Sequence, residues 1–136
     1  MEPPPKSEQA RTLRFKPSGY EVEIPGSVVA RAKQHGSGMM DDGELRCLAG
    51  VVLAFPWRPE AIVVEIGSYA GTTAAFVAET LAEAGHDNPV LSIDPFERVS
   101  GSRLNPQGRY RRYLKTMRSR GLQDRCHALV GYSHDV

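Results

Sequence analysis

One apolar run and the turn after it restrict the possible folds of this chain most strongly. Residues 61–66 are β-branched and nearly continuous in apolar character, and Gly67 and Gly71 follow them closely. Such a run is typical of a parallel strand buried on both faces. Glycine adopts backbone angles closed to other residues and places no Cβ in the way of a ligand. The pattern predicts a strand, a glycine turn and a helix that Thr72 or Thr73 caps.

Two acidic residues stand at the ends of neighbouring apolar runs. Glu65 lies at the end of the first run, and Asp94 ends a second run at 90–93. The carboxyl ends of parallel strands meet at one edge of a sheet, where an acid on the second strand can accept hydrogen bonds from two ribose hydroxyls. The N-terminus of the intervening helix attracts anionic groups. The sequence therefore predicts one βαβ unit with Glu65 and Asp94 facing a shared ligand crevice.

The spacing of the glycines argues against a dinucleotide. Dinucleotide sites show G-x-G-x-x-G, in which the second glycine lets the backbone approach a pyrophosphate closely. Here the pattern is E-x-G-x-x-x-G, and Ser68 follows Gly67 directly. A ligand without a pyrophosphate is therefore favoured.

The glycine turn resembles the first motif of the class I S-adenosylmethionine-dependent methyltransferases. Its extended form, E-x-G-x-Y-x-G-x-T, is similar to the small-molecule O-methyltransferases of the catechol O-methyltransferase type. A third apolar run at 128–130 precedes a G-x-S segment, Gly131 to Ser133, which that family places against adenine. The resemblance covers residues 38–136, and its motifs are more specific for the cofactor than for the acceptor.

The resemblance implies S-adenosylmethionine as cofactor and a small-molecule oxygen nucleophile as acceptor. Tyr69 and Thr73 would approach the methionine part, Asp94 the ribose, and Ser133 with His134 the adenine. In the family, the catalytic base and any metal ligands lie beyond the fourth strand, so no catalytic residue and no metal is assigned. The expected cofactor-binding residues are Glu65, Gly67, Ser68, Tyr69, Gly71, Thr73, Asp94, Ser133 and His134.

The expected fold class is α/β, the N-terminal half of a doubly wound, Rossmann-like methyltransferase sheet. Parallel strands in the order 3-2-1 would have flanking helices and follow N-terminal helices. We expect a flexible proline-rich arm at 1–26, a helical segment at 27–58 and a partial S-adenosylmethionine-binding domain at 59–136. Only three of the family's strands can be found, so a truncated enzyme is expected. The open edge of the first strand would then associate with a second copy or a partner chain.

Four helices and one further strand are expected along the chain. Residues 1–18 are polar and proline-rich, which predicts disorder, and residues 20–24 alternate as in a short strand. The helices are expected at 28–35, 42–53, 73–84 and 110–117, the last three ending near Pro56, Gly85 and Gly121.

Two other functions stay open, one suggested by the charge distribution and one by the expected truncation. The net charge is +1, yet residues 97–125 carry nine Lys or Arg against Glu97 and Asp124. A basic helix is usually a solvated outer face, but it also fits a nucleic-acid methyltransferase. A catalytically inactive fragment that acts through a partner is the second alternative. The basic residues of that helix region are Arg109, Arg111, Arg112, Lys115, Arg118 and Arg120.

Cysteine usage and hydropathy indicate a cytoplasmic protein. Cys47 and Cys126 are far apart and show no metal-ligand spacing, so both are expected to be reduced, buried thiols. The first residues lack an apolar core, so no signal peptide is expected there, and no apolar run approaches the length that spans a bilayer.

Overall fold

The computed structural model describes residues 9–14, 19–36, 38–97 and 106–136, without the side chains of residues 106 and 107. The chain divides into two compact units, Met1–Pro56 and Trp57–Val136. Each unit has its own elements and is described by itself.

The first unit contains a two-stranded antiparallel sheet and two helices. Strand β1, Arg11–Arg14, pairs with β2, Glu21–Ile24, and the helices are α1, Gly26–His35, and α2, Asp42–Ala54. Strand β1 lies where the sequence predicts disorder. Its backbone groups are satisfied by pairing with β2, and the polar side chains of this segment do not indicate that pairing.

Helix α2 begins with a capping box. The Asp41 side chain accepts from the Glu44 N–H at 2.8 Å, and the Glu44 side chain accepts from the Asp41 N–H at 2.8 Å. Two of the N–H groups that a helix start leaves unpaired are thereby satisfied. The prediction that Asp41 and Asp42 open this helix is confirmed, with Asp41 as the N-cap.

The second unit is a three-stranded parallel sheet with helical crossovers. Its strands are β3, Val63–Ile66, β4, Val90–Asp94, and β5, Cys126–Val130, in the order β3-β4-β5. Helix α3, Thr72–Glu83, joins β3 to β4, and helix α4, Pro106–Ser119, joins β4 to β5. The expected α/β class and the parallel order of the three strands are confirmed, and the methyltransferase identity of the sheet stays a prediction.

The register of the sheet sets which side chains share a face. Glu65 stands opposite Ser92, and Ile66 stands opposite Ile93. Because side chains alternate between faces, Glu65, Ser92 and Asp94 lie on the same face of the sheet. The two predicted acids are therefore on one side, as the βαβ reading requires.

The expectation that β3 is buried on both faces is wrong. Val64 is 50% exposed and Ile66 is 67% exposed, whereas Val63 and Glu65 are half-buried. Val64 and Ile66 share the face of the sheet opposite Val63 and Glu65, and it is this face that is exposed. Among the described residues β3 also has a strand neighbour on one side only. The β-branched run thus predicted the strand correctly, but its burial on both faces incorrectly.

Glycines stand at the start of α3 and after the ends of α3 and α4. Gly71, with φ 79°, is the N-cap of α3 and makes no side-chain cap, so the prediction of a threonine cap is wrong. Thr72 and Thr73 lie inside the first turn instead. The predicted stops are confirmed, since Gly85 and Gly121 follow α3 and α4 with φ values of 81° and 66°.

The two cysteines differ in exposure. Both are free thiols, but Cys126 is buried and Cys47 is exposed, so the expected burial of Cys47 is wrong. Position 47 lies on the outer side of α2, between the buried Leu45 and Ala49. No helix in the described ranges has the length and apolar character needed to cross a bilayer.

Candidate functional site

The carboxylate of Asp94 holds the glycine turn in place. Its Oδ2 accepts from the backbone N–H of Ser68 at 2.7 Å and of Tyr69 at 2.9 Å. Its Oδ1 accepts from the N–H of Phe96 at 2.5 Å. Asp94 is only 8% exposed, and these bonds compensate for the burial of its charge. The acid at the tip of β4 therefore joins the turn after β3 to the segment after β4.

This role of Asp94 was not predicted. The expected role of this carboxylate, to accept hydrogen bonds from ribose hydroxyls, stays a prediction. A carboxylate offers about four acceptor positions, and three backbone N–H groups occupy most of them here. By this count about one acceptor position of the carboxylate remains.

Gly67 is open on the side where a side chain would project. It has φ 83°, and a Cβ built on it meets nothing within 4 Å. Its N–H donates to the Ile93 carbonyl at 2.9 Å, which continues the β3–β4 pairing into the turn. The backbone is thus bare where β3 ends, as expected for a close approach by a ligand.

Gly71 serves packing rather than ligand access. A Cβ on Gly71 would lie 2.7 Å from Tyr113 Cδ2 and 2.7 Å from Met117 Cε, both on α4. The Thr116 hydroxyl lies 3.0 Å from the Ala70 carbonyl, which adds a polar contact between α4 and the turn. The expectation that Gly71 leaves room for a ligand is corrected, because α4 occupies that room.

Glu65 ends a short chain of hydrogen bonds from α4. The Tyr113 hydroxyl donates to Ser92 Oγ at 3.2 Å, and the Ser92 hydroxyl donates to Glu65 Oε2 at 2.9 Å. Burial raises the pKa of Glu65, the Ser92 hydroxyl lowers it in part, and the charge of Asp94 raises it further. Burial likewise raises the pKa of Tyr113 to about 12. Glu65 and Asp94 are therefore electrostatic neighbours beside one turn.

Arg109 is a member of the site that sequence reasoning missed. It is 3% exposed, and its guanidinium carbon lies 5.3 Å from the centre of the Tyr69 ring. Tyr69 itself has φ 51°, a left-handed conformation that is uncommon for a residue with a side chain. A signal was present, since Arg109 precedes the buried Tyr113 and Met117 at four-residue spacing and so belongs to the inner row of α4.

Ser133 and His134 are exposed. The His134 ring stacks on Tyr132 at 5.4 Å, and the Tyr132 hydroxyl donates to Glu97 Oε2. The Gly131 N–H donates to the Asp94 carbonyl at 3.2 Å. The segment after β5 thus begins beside the end of β4, but a contact of Ser133 or His134 with a ligand stays a prediction.

The structure brings together four of the nine predicted site residues by direct contact or close charge: Glu65, Ser68, Tyr69 and Asp94. Gly67 lies in the same turn with open space above it, and Thr73 lies in the first turn of α3. The described part of the chain holds no group of three or more His, Cys, Asp or Glu residues that could bind a metal ion.

Comparison with known proteins identifies no family for this chain. No protein-family model matches the chain, and no curated protein matches it.

Proposed function

We propose that residues 57–136 bind S-adenosylmethionine and that the chain is a methyltransferase, or the cofactor-binding half of one, acting on a small-molecule oxygen nucleophile. The observation that supports this best is the turn between β3 and α3. Asp94 holds its backbone at Ser68 and Tyr69, and Gly67 leaves the strand end bare. The carboxyl ends of parallel strands in open α/β sheets are where ligands bind.

The donors and acceptors around the turn fit an adenosyl ligand without phosphate. Asp94 keeps one acceptor position for a ribose hydroxyl, and Glu65 adds a second carboxylate on the same face. The open space above Gly67 admits a ligand beside the backbone. In G-x-G-x-x-G counted from Gly67, the second glycine that a pyrophosphate needs would stand at position 69, which is Tyr69 here.

When bound, the cofactor would supply an electrophilic methyl group on a sulfonium. The residues of this chain would act by binding and orientation, because positioning donor and nucleophile in line supplies much of the catalysis in such a transfer. Asp94 would hold the ribose, and Tyr69 and Thr73 would lie beside the amino-acid part. No residue among those described is assigned as the base.

Calorimetric titration with S-adenosylhomocysteine tests the proposal, and the chain offers a matched pair of glycines. Gly67 and Gly85 have φ values of 83° and 81°, and a Cβ on either meets nothing within 4 Å. Gly67→Val, directly after β3, and Gly85→Val, after the end of α3, therefore impose similar backbone strain. Gly67→Val is expected to weaken binding by about tenfold or more, and Gly85→Val to leave it unchanged.

Two results would count against the proposal. Absence of binding at millimolar ligand favours a catalytically inactive chain that acts through a partner. Equal weakening by both glycine variants would trace the effect to backbone strain and not to contact with a ligand. Thermal melts of both variants establish that each is folded before binding is compared.

A nucleic-acid substrate is the other alternative, and it is suggested by the basic residues of α4. Arg111, Arg112 and Lys115 are exposed on that helix, but Arg120 is paired with Glu79 at 2.7 Å. Phosphate binding by such residues would make affinity fall steeply with salt. Filter binding across salt concentrations is expected to show no steep slope, and a steep one would favour nucleic acid.

A further inference from the structure

We propose that Arg109 binds the carboxylate of the cofactor's amino-acid part beside the glycine turn. This inference rests on the proposed function, and it assigns to α4 a ligand contact that the sequence resemblance does not imply. Three observations support it: the Arg109 side chain is buried, two of its N–H donors have no partner among the described residues, and it lies against the Tyr69 ring of the turn.

Hydrogen bonds from the described residues do not satisfy all of the buried Arg109 guanidinium. The residue is 3% exposed, and its Nε and Nη2 are buried without a hydrogen-bond partner in the described part of the chain. A guanidinium keeps its charge inside proteins. An unpaired buried charge is strongly unfavourable, so the arrangement calls for an anion from outside the described residues. Residues 98–105, which precede α4, contain no aspartate or glutamate.

The two unused donors match the shape of a carboxylate. Nε and Nη2 are neighbours on one edge of the guanidinium, and both oxygens of a carboxylate can accept from such a pair. A point cation such as lysine would give no preference for a planar anion. The chemistry of the side chain therefore favours a carboxylate over a neutral group.

The position of Arg109 links it to the turn. The guanidinium lies 5.3 Å from the Tyr69 ring centre, and the N–H of Tyr69 is held by Asp94 at 2.9 Å. Asp94 thereby fixes Tyr69 in its left-handed conformation, with φ 51°. The contact of Asp94, at the tip of β4, with the Tyr69 N–H thus helps to position the Tyr69 ring against the Arg109 guanidinium.

The start of α3 adds a second source of positive potential. Its N-cap is Gly71, two residues after Tyr69, and no side chain caps the helix. The N-terminus of a helix of this length favours an anion. Asp94 is already engaged by three backbone N–H groups. A carboxylate from the ligand would therefore balance the positive charge of Arg109 and the positive potential at the start of α3.

The test compares two ligands that differ in the amino-acid part. S-Adenosylhomocysteine carries the carboxylate, and 5′-deoxy-5′-methylthioadenosine has the same adenosine without it. We expect Arg109→Gln to weaken binding of the first by about 10- to 100-fold and to leave binding of the second unchanged. Arg112→Gln, on the exposed side of the same helix, is the control and is expected to change neither.

A second variant separates binding from folding. Arg109→Met removes the buried cation and keeps a chain of similar length, so the melting temperature without ligand is expected to stay the same or rise. A purely structural arginine would instead lower the melting temperature on replacement. That fall, or equal weakening of both ligands by Arg109→Gln, or no weakening of either, would overturn the inference while the wild-type titration still supports cofactor binding. If the wild-type chain binds neither ligand, the proposed function fails and this inference fails with it.

Discussion

Gly71 of the turn and Tyr113 of α4 lie so close that a single added carbon would not fit between them. A Cβ on Gly71 would come within 2.7 Å of Tyr113 Cδ2. Gly71→Ala is expected to lower the free energy of unfolding by about 2–4 kcal/mol, since it adds a steric clash to a left-handed backbone. Urea denaturation followed by circular dichroism measures this loss.

The control for that change is Gly67→Ala. Gly67 has nearly the same φ, 83° against 79°, but open space around its Cβ position. Its substitution is expected to cost about 1–2 kcal/mol from backbone strain alone. Equal costs at the two positions would mean that α4 yields easily and that the close contact with Tyr113 is unimportant.

The buried carboxyl of Glu65 should make stability depend on pH. Burial raises the pKa of Glu65 above 4.5 in the folded chain, so the folded state binds this proton more tightly than the unfolded state. The favourable contribution is present below pH 4.5 and is lost as the pH rises through the folded pKa.

Glu65→Gln keeps a side-chain oxygen for the Ser92 hydroxyl and removes the titration. Its free energy of unfolding, relative to wild type, is therefore expected to rise between acidic and neutral pH. Denaturant curves at several pH values measure this difference, with the exposed Glu60→Gln as control. A difference that does not change with pH would show that Glu65 titrates as it does in the unfolded chain.

The two thiols should react at very different rates. Cys47 is exposed, whereas burial raises the pKa of Cys126 to about 12, and its thiol faces the Ala74 carbonyl at 3.9 Å. Only the thiolate is reactive. At mildly alkaline pH one thiol per chain is expected to react quickly with a disulfide reagent, and the second only after denaturant is added. Rapid reaction of the Cys47→Ser variant would contradict this.

The exposed side chains of β3 predict self-association. Val64 is 50% exposed on an edge strand, and an apolar edge pairs readily with another copy. Sedimentation velocity is expected to show association that grows with concentration and that Val64→Lys suppresses. Val51→Lys on α2, where the side chain is 52% exposed, is the matched control. A monomer at all concentrations would refute the prediction.

Local patterns were enough to predict most elements of the fold. The carboxylate–glycine pattern located β3, the turn and α3, and the apolar run at 90–93 located β4. Glycines with positive φ marked the ends of α3 and α4 correctly. These features depend on backbone conformation and side-chain periodicity, which neighbouring residues largely determine.

Contacts between distant residues were not predictable in the same way. Nothing near Asp94 in the sequence shows that its carboxylate accepts from Ser68 and Tyr69, because that contact exists only once β3 and β4 pair. Strand β1 depends likewise on a partner seven or more residues away. Arg109 was assigned to the basic outer face because its charge outweighed its position in the row of Tyr113 and Met117.

The attachment of α4 to the glycine turn limits how the chain can vary. Arg109, Tyr113 and Thr116 meet the turn at successive levels of one helix. Inserting or deleting one residue within α4 would rotate every later side chain by about 100° and carry this row away from the turn. Homologous chains should therefore tolerate exchanges among the outward-facing arginines and lysine far more readily than any change in the number of residues between Arg109 and Thr116.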